Sequence, residues 1–154
     1  MTGNMTRDDA EKMLGCIIGQ PLQYGRIYQE YGMYGLGFGP LFKVPSWNGV
    51  PKLVCPYTFH IQCQLKIIDR EKCSAIKFMA DTPPEIFTTN IMQLVGLVVK
   101  RFALSDKFDL WIDLGDYWIV FVIWEDETES WRFFTPESDD PHLVVSSSWL
   151  CLDY

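Results

Sequence analysis

The sequence predicts an α+β protein that is mainly antiparallel β. Two similar β-meander halves pack into one sandwich or partly open barrel, with a short helix at the N-terminus and another near 83–92. Three observations predict this. Apolar residues recur with period two in several stretches, most cleanly over 57–68, the pattern of half-buried strands. Pro, Gly, Asn and Asp punctuate those stretches at short intervals. An approximate internal repeat relates residues 17–79 to 94–151, with Gly19 matching Gly96 at an offset of 77 residues. With 154 residues, 48% of them apolar and 15% aromatic, the chain is long enough to bury a core, and a single domain over 1–154 is expected.

The elements follow in order. Over 6–14, Thr6 is placed to cap a helix with Asp9 as the capping-box acid, and Gly15 ends it. Residues 21–31 are dense in β-formers, and 33–38 alternate Tyr34, Leu36 and Phe38 with Met33, Gly35 and Gly37. Pro40, Pro45, Asn48-Gly49, Pro51 and Pro56 mark a long irregular connection. Residues 57–68 form one strand, with Tyr57, Phe59, Ile61, Cys63, Leu65 and Ile67 on one face, and 73–79 return beside it. "TPPE" starts the second helix, with Thr82 as cap and Pro83 at its first position. Three strands then follow at 95–104, 108–114 and 117–124, the last apolar on both faces and therefore central. A strand at 130–136 and one last strand around 142–151 complete the chain.

Charge placement is more informative than the net value of −7. Residues 1–124 hold twelve acids and twelve bases, whereas residues 125–154 hold eight acids against one base, Arg132. That balance argues against nucleic acid, which needs a basic footprint. It suits a basic protein partner, with Glu125, Asp126, Glu127, Glu129, Asp139 and Asp140 as the contact charges. The competing account is a solvated acidic surface that keeps the protein soluble. Arg132, next to Trp131, is expected to pair with one of the acids or to stack on a ring. No apolar run reaches 18 residues and the N-terminus is polar, so neither a membrane span nor a secretory signal is expected and the cytoplasm is the default. Five cysteines without a Cys-x-x-Cys pair read as reduced, mostly buried thiols.

Four glycines within "YGMYGLGFGP" raise the question of a phosphate loop. Such a loop needs a helix directly after it, and prolines follow here instead. Gly35 and Gly37 therefore read as strand glycines under a large side chain, of aromatic type. His60 and Cys63 lie three apart in a strand, on opposite faces, and cannot share a metal. Ser146, Ser147 and Ser148 lack the Gly-x-Ser-x-Gly elbow. No metal, cofactor or catalytic residue is expected.

Two stretches carry a resemblance. "FHIQCQLKI" (59–67) resembles a Leu-His-x-Gln-Cys-x-Trp-Arg-Ile motif, and "ETESWRFFTPESDDPHLVV" (127–145) resembles Glu-x-Trp-Arg-x-Phe…Pro-His-x-Val-Val. Together with "IIGQPL…YGLGFG" they are similar to a widespread family of small uncharacterised bacterial proteins. Leu65 and Lys66 depart from its Trp-Arg pair. The resemblance implies a bacterial cytosolic domain similar to the small immunity proteins found near secreted toxins. Two functions therefore compete. One is a non-catalytic, immunity-like or antitoxin-like protein that plugs a basic, toxin-like partner with its acidic C-terminal surface. The other is a small-molecule-binding domain or enzyme whose pocket lies between the β halves, lined by Tyr34, Phe38, Trp111 and Trp118 with His60 as polar contact. Homodimerisation through an exposed strand edge is compatible with either.

Overall fold

A computed structural model describes residues 2–126, 128–136 and 139–153. The chain runs β1 (Thr2–Asn4), α1 (Arg7–Leu14), β2 (Leu22–Tyr28), β3 (Met33–Phe38), β4 (Phe42–Val44), β5 (Lys52–Val54), β6 (Tyr57–Ile61), β7 (Gln64–Asp69), β8 (Ser74–Phe78), α2 (Pro84–Met92), β9 (Arg101–Leu104), β10 (Leu110–Asp113), β11 (Tyr117–Val122), β12 (Trp131–Phe134), β13 (His142–Val145) and β14 (Leu150–Asp153). Among the described residues the fold is α+β with two short helices, and every strand pair is antiparallel. A seven-stranded sheet has the order β1-β14-β13-β12-β6-β3-β2, a five-stranded sheet the order β8-β7-β11-β10-β9, and β4-β5 form a separate hairpin.

The two large sheets pack face to face and do not close into a barrel. Phe59 on β6 and Trp131 on β12 meet Phe121 on β11, with ring centroids 5.3 and 5.7 Å apart, and all three side chains are fully buried. Aromatic edges against faces, as here, suit the ring quadrupoles and fill the space between the sheets.

Apart from the β4-β5 hairpin inserted in the first, the order of elements is similar in each half. In the first, α1 leads into the meander β2-β3-β6 of the seven-stranded sheet, and the chain then crosses to the hairpin β7-β8 of the five-stranded one. In the second, α2 leads into the meander β9-β10-β11 of the five-stranded sheet, and the chain crosses back to β12-β13. The linkers between helix and meander pair with each other: Gly19 N–H donates to Val99 O (2.8 Å) and Gly96 N–H to Leu22 O (2.8 Å). Gly19 (φ 85°) and Gly96 (φ 95°) both sit in the left-handed region, which explains a glycine at each.

Several expectations need correction. The strand expected over 57–68 is two strands in different sheets. It breaks where the Gln62 and Cys63 N–H groups both donate to Ser130 O (2.8 and 3.1 Å). The alternation runs unbroken through the break because both sheets enclose the same core, so Phe59, Ile61, Cys63, Leu65 and Ile67 all stay buried. The strand expected around 142–151 is likewise two, β13 and β14, joined by a turn in which Ser146 N–H donates to Trp149 O (3.0 Å). The connection from 40 to 56 contains the β4-β5 hairpin. Helix α1 carries the expected Thr6–Asp9 capping box. Helix α2 starts one residue later than expected, at Pro84. Pro83 before it is extended (φ −56°, ψ 133°), because a proline disfavours helical geometry in its predecessor. Thr82 instead accepts from Met79 N–H (2.8 Å).

No helix follows Gly39, which leads into β4. Rings cover the strand glycines: a Cβ on Gly35 would fall 2.8 Å from Tyr28 Cε2, and one on Gly37 would fall 2.4 Å from Tyr24 Cε1 and 2.7 Å from the buried Cys55 Sγ. Gly37→Ala is expected to lower stability by about 1–3 kcal/mol in urea denaturation, by overpacking. Gly35→Ala costs less, since its obstacle is the partly exposed Tyr28 ring alone. Equal losses at the two positions contradict this account.

Candidate functional site

Strand alternation sends every second side chain of the seven-stranded sheet outward, away from the core. On β2, β6, β12, β13 and β14 those outward residues include Tyr28, His60, Arg132, Phe134, His142 and Asp153. They form one connected array. The Tyr28 ring meets His60 edge-on at 5.5 Å, His60 meets Phe134 at 4.7 Å, and Phe134 stacks on His142 at 4.5 Å with 21° between the planes. Beside Tyr28, the exposed Arg26 guanidinium lies over the Tyr24 ring at 4.9 Å and the Tyr28 ring at 5.9 Å.

Arg132 joins this ring array to the acidic loop. Its Nε and Nη2 donate to the two carboxylate oxygens of Glu129 (2.9 and 2.6 Å), Nη1 donates to His142 Nδ1 (2.9 Å), and Asp153 lies 3.6 Å away. The bidentate geometry is one that a lysine cannot reproduce. Because Nδ1 of His142 accepts, that imidazole is neutral with its proton on Nε2. Burial pushes both imidazoles below their usual range, and the Arg132 cation lowers them further. As pH falls, the unfolded chain protonates these histidines first, so stability declines from neutral pH downward through the lowered native values. The melting temperature is expected to fall between about pH 7.5 and 5 more steeply for wild type than for the His60→Gln/His142→Gln variant. Parallel profiles contradict the assignment.

The described acidic residues of the proposed contact set fall into two groups. Glu125 and Asp126 are exposed on the loop between β11 and β12, where Asp126 accepts from Thr128 N–H (3.0 Å) and its carbonyl from Ser147 Oγ (2.8 Å). Glu129 is half-buried on Arg132. Asp139 and Asp140 are exposed beyond the other end of β12, so roughly 10 Å of strand separates the two groups. Glu127 lies outside the described residues.

The expected aromatic pocket is corrected outright. Tyr34 (3% exposed) and Phe38 (0%) lie in the packed core, with the Tyr34 hydroxyl donating to Met79 O (2.6 Å). Trp111 and Trp118 pair at 5.9 Å on the outer face of the five-stranded sheet, where Arg70 and Arg101 flank Trp118 and both approach the Asp113 carboxylate (3.5 and 2.9 Å). His60 is on the outer face of the other sheet. Alternation divides these five residues among the interior and two opposite surfaces, and the interior is filled by rings.

Cys55 and Cys63 are buried, and burial pushes their thiols up to about 11 and about 12, so neither is a thiolate at neutral pH. Cys16 and Cys73 are exposed, against the expectation of mostly buried thiols, and all five cysteines are free. Among the described residues no group of three His, Cys, Asp or Glu side chains is arranged to hold a metal ion. Among the described residues no helix is long and apolar enough to cross a membrane.

Sequence alone anticipates that Arg132 pairs with an acid and that His60 lies on the strand face opposite Cys63, but it puts His60 in a pocket between the β halves, whereas the side chain is on an outer face. Sequence alone also misses that Tyr28, Phe134, His142 and Asp153 join these two. The available signal was parity: Arg132 and Phe134 are two apart on one strand, as are Tyr24, Arg26 and Tyr28 on another. Compared with models of protein families, with curated proteins and with solved structures, the chain matches none of them.

Proposed function

We propose that this chain is a non-catalytic, cytoplasmic binding protein of bacterial immunity or antitoxin type, which engages a basic partner protein. Its contact surface is the outer face of the seven-stranded sheet together with the adjoining acidic loop. One observation carries the reading: Arg132 ties Glu129 of that loop to a row of partly exposed aromatic and imidazole rings. Exposed Glu125 and Asp126 belong to the same loop as Glu129, which is tied to that ring surface. Rings and arginines at the centre with charges at the edge suit protein recognition, and the acids speed encounter with a basic partner. The residues behind the resemblance to the small bacterial family support the same reading, since His60, Glu129, Arg132, Phe134 and His142 all belong to this network.

The test passes the host's soluble proteins over immobilised wild type and the Glu125→Lys/Asp126→Lys variant. A partner of net positive charge is expected on wild type alone. Its association rate should fall by about 10-fold or more between low and physiological salt. Retention of acidic proteins only, or equal retention by both surfaces, overturns the reading.

A further inference from the structure

The two halves end differently, and the difference marks an acceptor edge. Strand β13 closes the second half's hairpin and is itself covered by β14, with Leu143 opposite Leu152, Val145 opposite Leu150, and His142 opposite Asp153. Strand β8 closes the first half's hairpin in the same way, yet it is the edge of its sheet. The registers match. Ile76 pairs with Ile67 on β7 as Leu143 pairs with Phe133 on β12, and Phe78 pairs with Leu65 as Val145 pairs with Trp131. The consequence shows in burial: Leu143, flanked by Leu152, is 0% exposed, whereas Ile76, with no strand beside it on its free side, is 41% exposed and lines a surface cavity with Asn90, Gln93 and Leu94. Ser74, Ala75 and Lys77 are exposed as well. An edge strand also presents unpaired backbone N–H and C=O groups along its free side.

Charge selects what fits there. Lys66 and Lys77 face each other directly across β7 and β8, a like-charge pair that costs stability in a sheet. Arg132, which holds the place of Lys66 in the other hairpin, is neutralised in part by Asp153 from β14. We infer that β8 accepts an extended segment of a partner protein as a sixth, antiparallel strand. The segment carries an apolar side chain inward over Ile76 and carboxylates outward toward Lys66 and Lys77, while Phe78 is already fully buried against Phe87 and Tyr34. This is strand addition, in which backbone hydrogen bonds supply affinity and alternate side chains supply specificity. A second copy of this chain fits poorly, since pairing β8 with β8 gathers four lysines along one seam. The edge is separate from the ring-lined face, so the inference does not depend on the function proposed above.

The probe is a fluorescein-labelled peptide, Gly-Ser-Leu-Asp-Leu-Asp-Leu-Ser, with a control in which Lys replaces Asp. Fluorescence anisotropy is expected to show saturable binding of the acidic peptide, with amide hydrogen exchange slowed over 74–78. The control peptide, and the acidic peptide on the Lys77→Glu variant, should bind at least about 10-fold more weakly. Lys77 is exposed and Glu opposite Lys66 is a favourable pair, so this variant keeps the fold, which circular dichroism checks. No saturation by about 1 mM peptide, equal binding of both peptides, or protection elsewhere overturns the inference. So does a concentration-dependent dimer in which 74–78 are protected without peptide, since a second copy then fills the edge.

Discussion

Trp131→Ala is expected to lower the unfolding free energy by about 3–5 kcal/mol, a large part of the stability of a domain this size. Trp131 is fully buried between the sheets, with Phe59 at 6.1 Å and Phe121 at 5.7 Å. Its removal opens a cavity that two sheets, each held by its own ladder, collapse into only partly. The indole N–H also donates to Phe108 O (3.2 Å), in a turn where Phe108 itself has φ 71°. Positive φ is costly for an aromatic residue, so losing that bond removes one restraint holding the turn. Trp131→Phe keeps most of the volume but not the donor, and is expected to cost less than the alanine variant. Urea denaturation of both checks this. A loss below about 1.5 kcal/mol for Trp131→Ala, the range of a volume-conserving swap, contradicts the packing described.

Arg132→Ala is the second. It strands the half-buried Glu129 carboxylate, removes the donor to His142 Nδ1 and takes away the cation 3.6 Å from Asp153. Side chains of Arg132 and Glu129 are 24% and 21% exposed, so little solvent screening softens the loss. The expected cost is about 2–3 kcal/mol, the scale of charge-assisted hydrogen bonds with one partner deleted. Arg132→Lys is expected to recover less than half of it, because an ammonium cannot bond both Glu129 oxygens and His142 together. The Arg132→Ala/Glu129→Ala double variant should be more stable than the sum of the single losses predicts, with a coupling measured by a double-mutant cycle. Strict additivity shows that the pair contributes nothing. On the function proposed above, Arg132→Ala also weakens partner binding by loosening the acidic loop from the sheet face.

Much of this molecule is legible without coordinates, and particular residues show why. Thr6 and Asp9 announce a capped helix because the bonds they make are local. Strand β11, "YWIVFV", announces a central position because both of its faces are apolar. Gly35 and Gly37 announce a large neighbour by having no side chain, and Tyr28 and Tyr24 supply the rings. Gly19 and Gly96, aligned with each other in the sequence, share a positive φ, but that their segments pair is seen only in the structure.

Tertiary structure decided the rest. The crossing at Gln62–Cys63 is invisible to periodicity, because a strand leaving one sheet for another around a shared core keeps the same parity. Ring-bearing residues looked like one pocket, although the pleat sends Tyr34 and Phe38 inward and puts His60 and Trp118 on opposite outer surfaces. Glu129, Arg132, His142 and Asp153 lie on three strands and a loop, and only the register β12-β13-β14 makes them neighbours. Local chemistry along the chain thus determines where most helices and strands lie, though not their limits: the strand expected at 95–104 covers only Arg101–Leu104. Which side chains meet is set by pairing across distant strands, through contacts whose energy depends on the whole packed core.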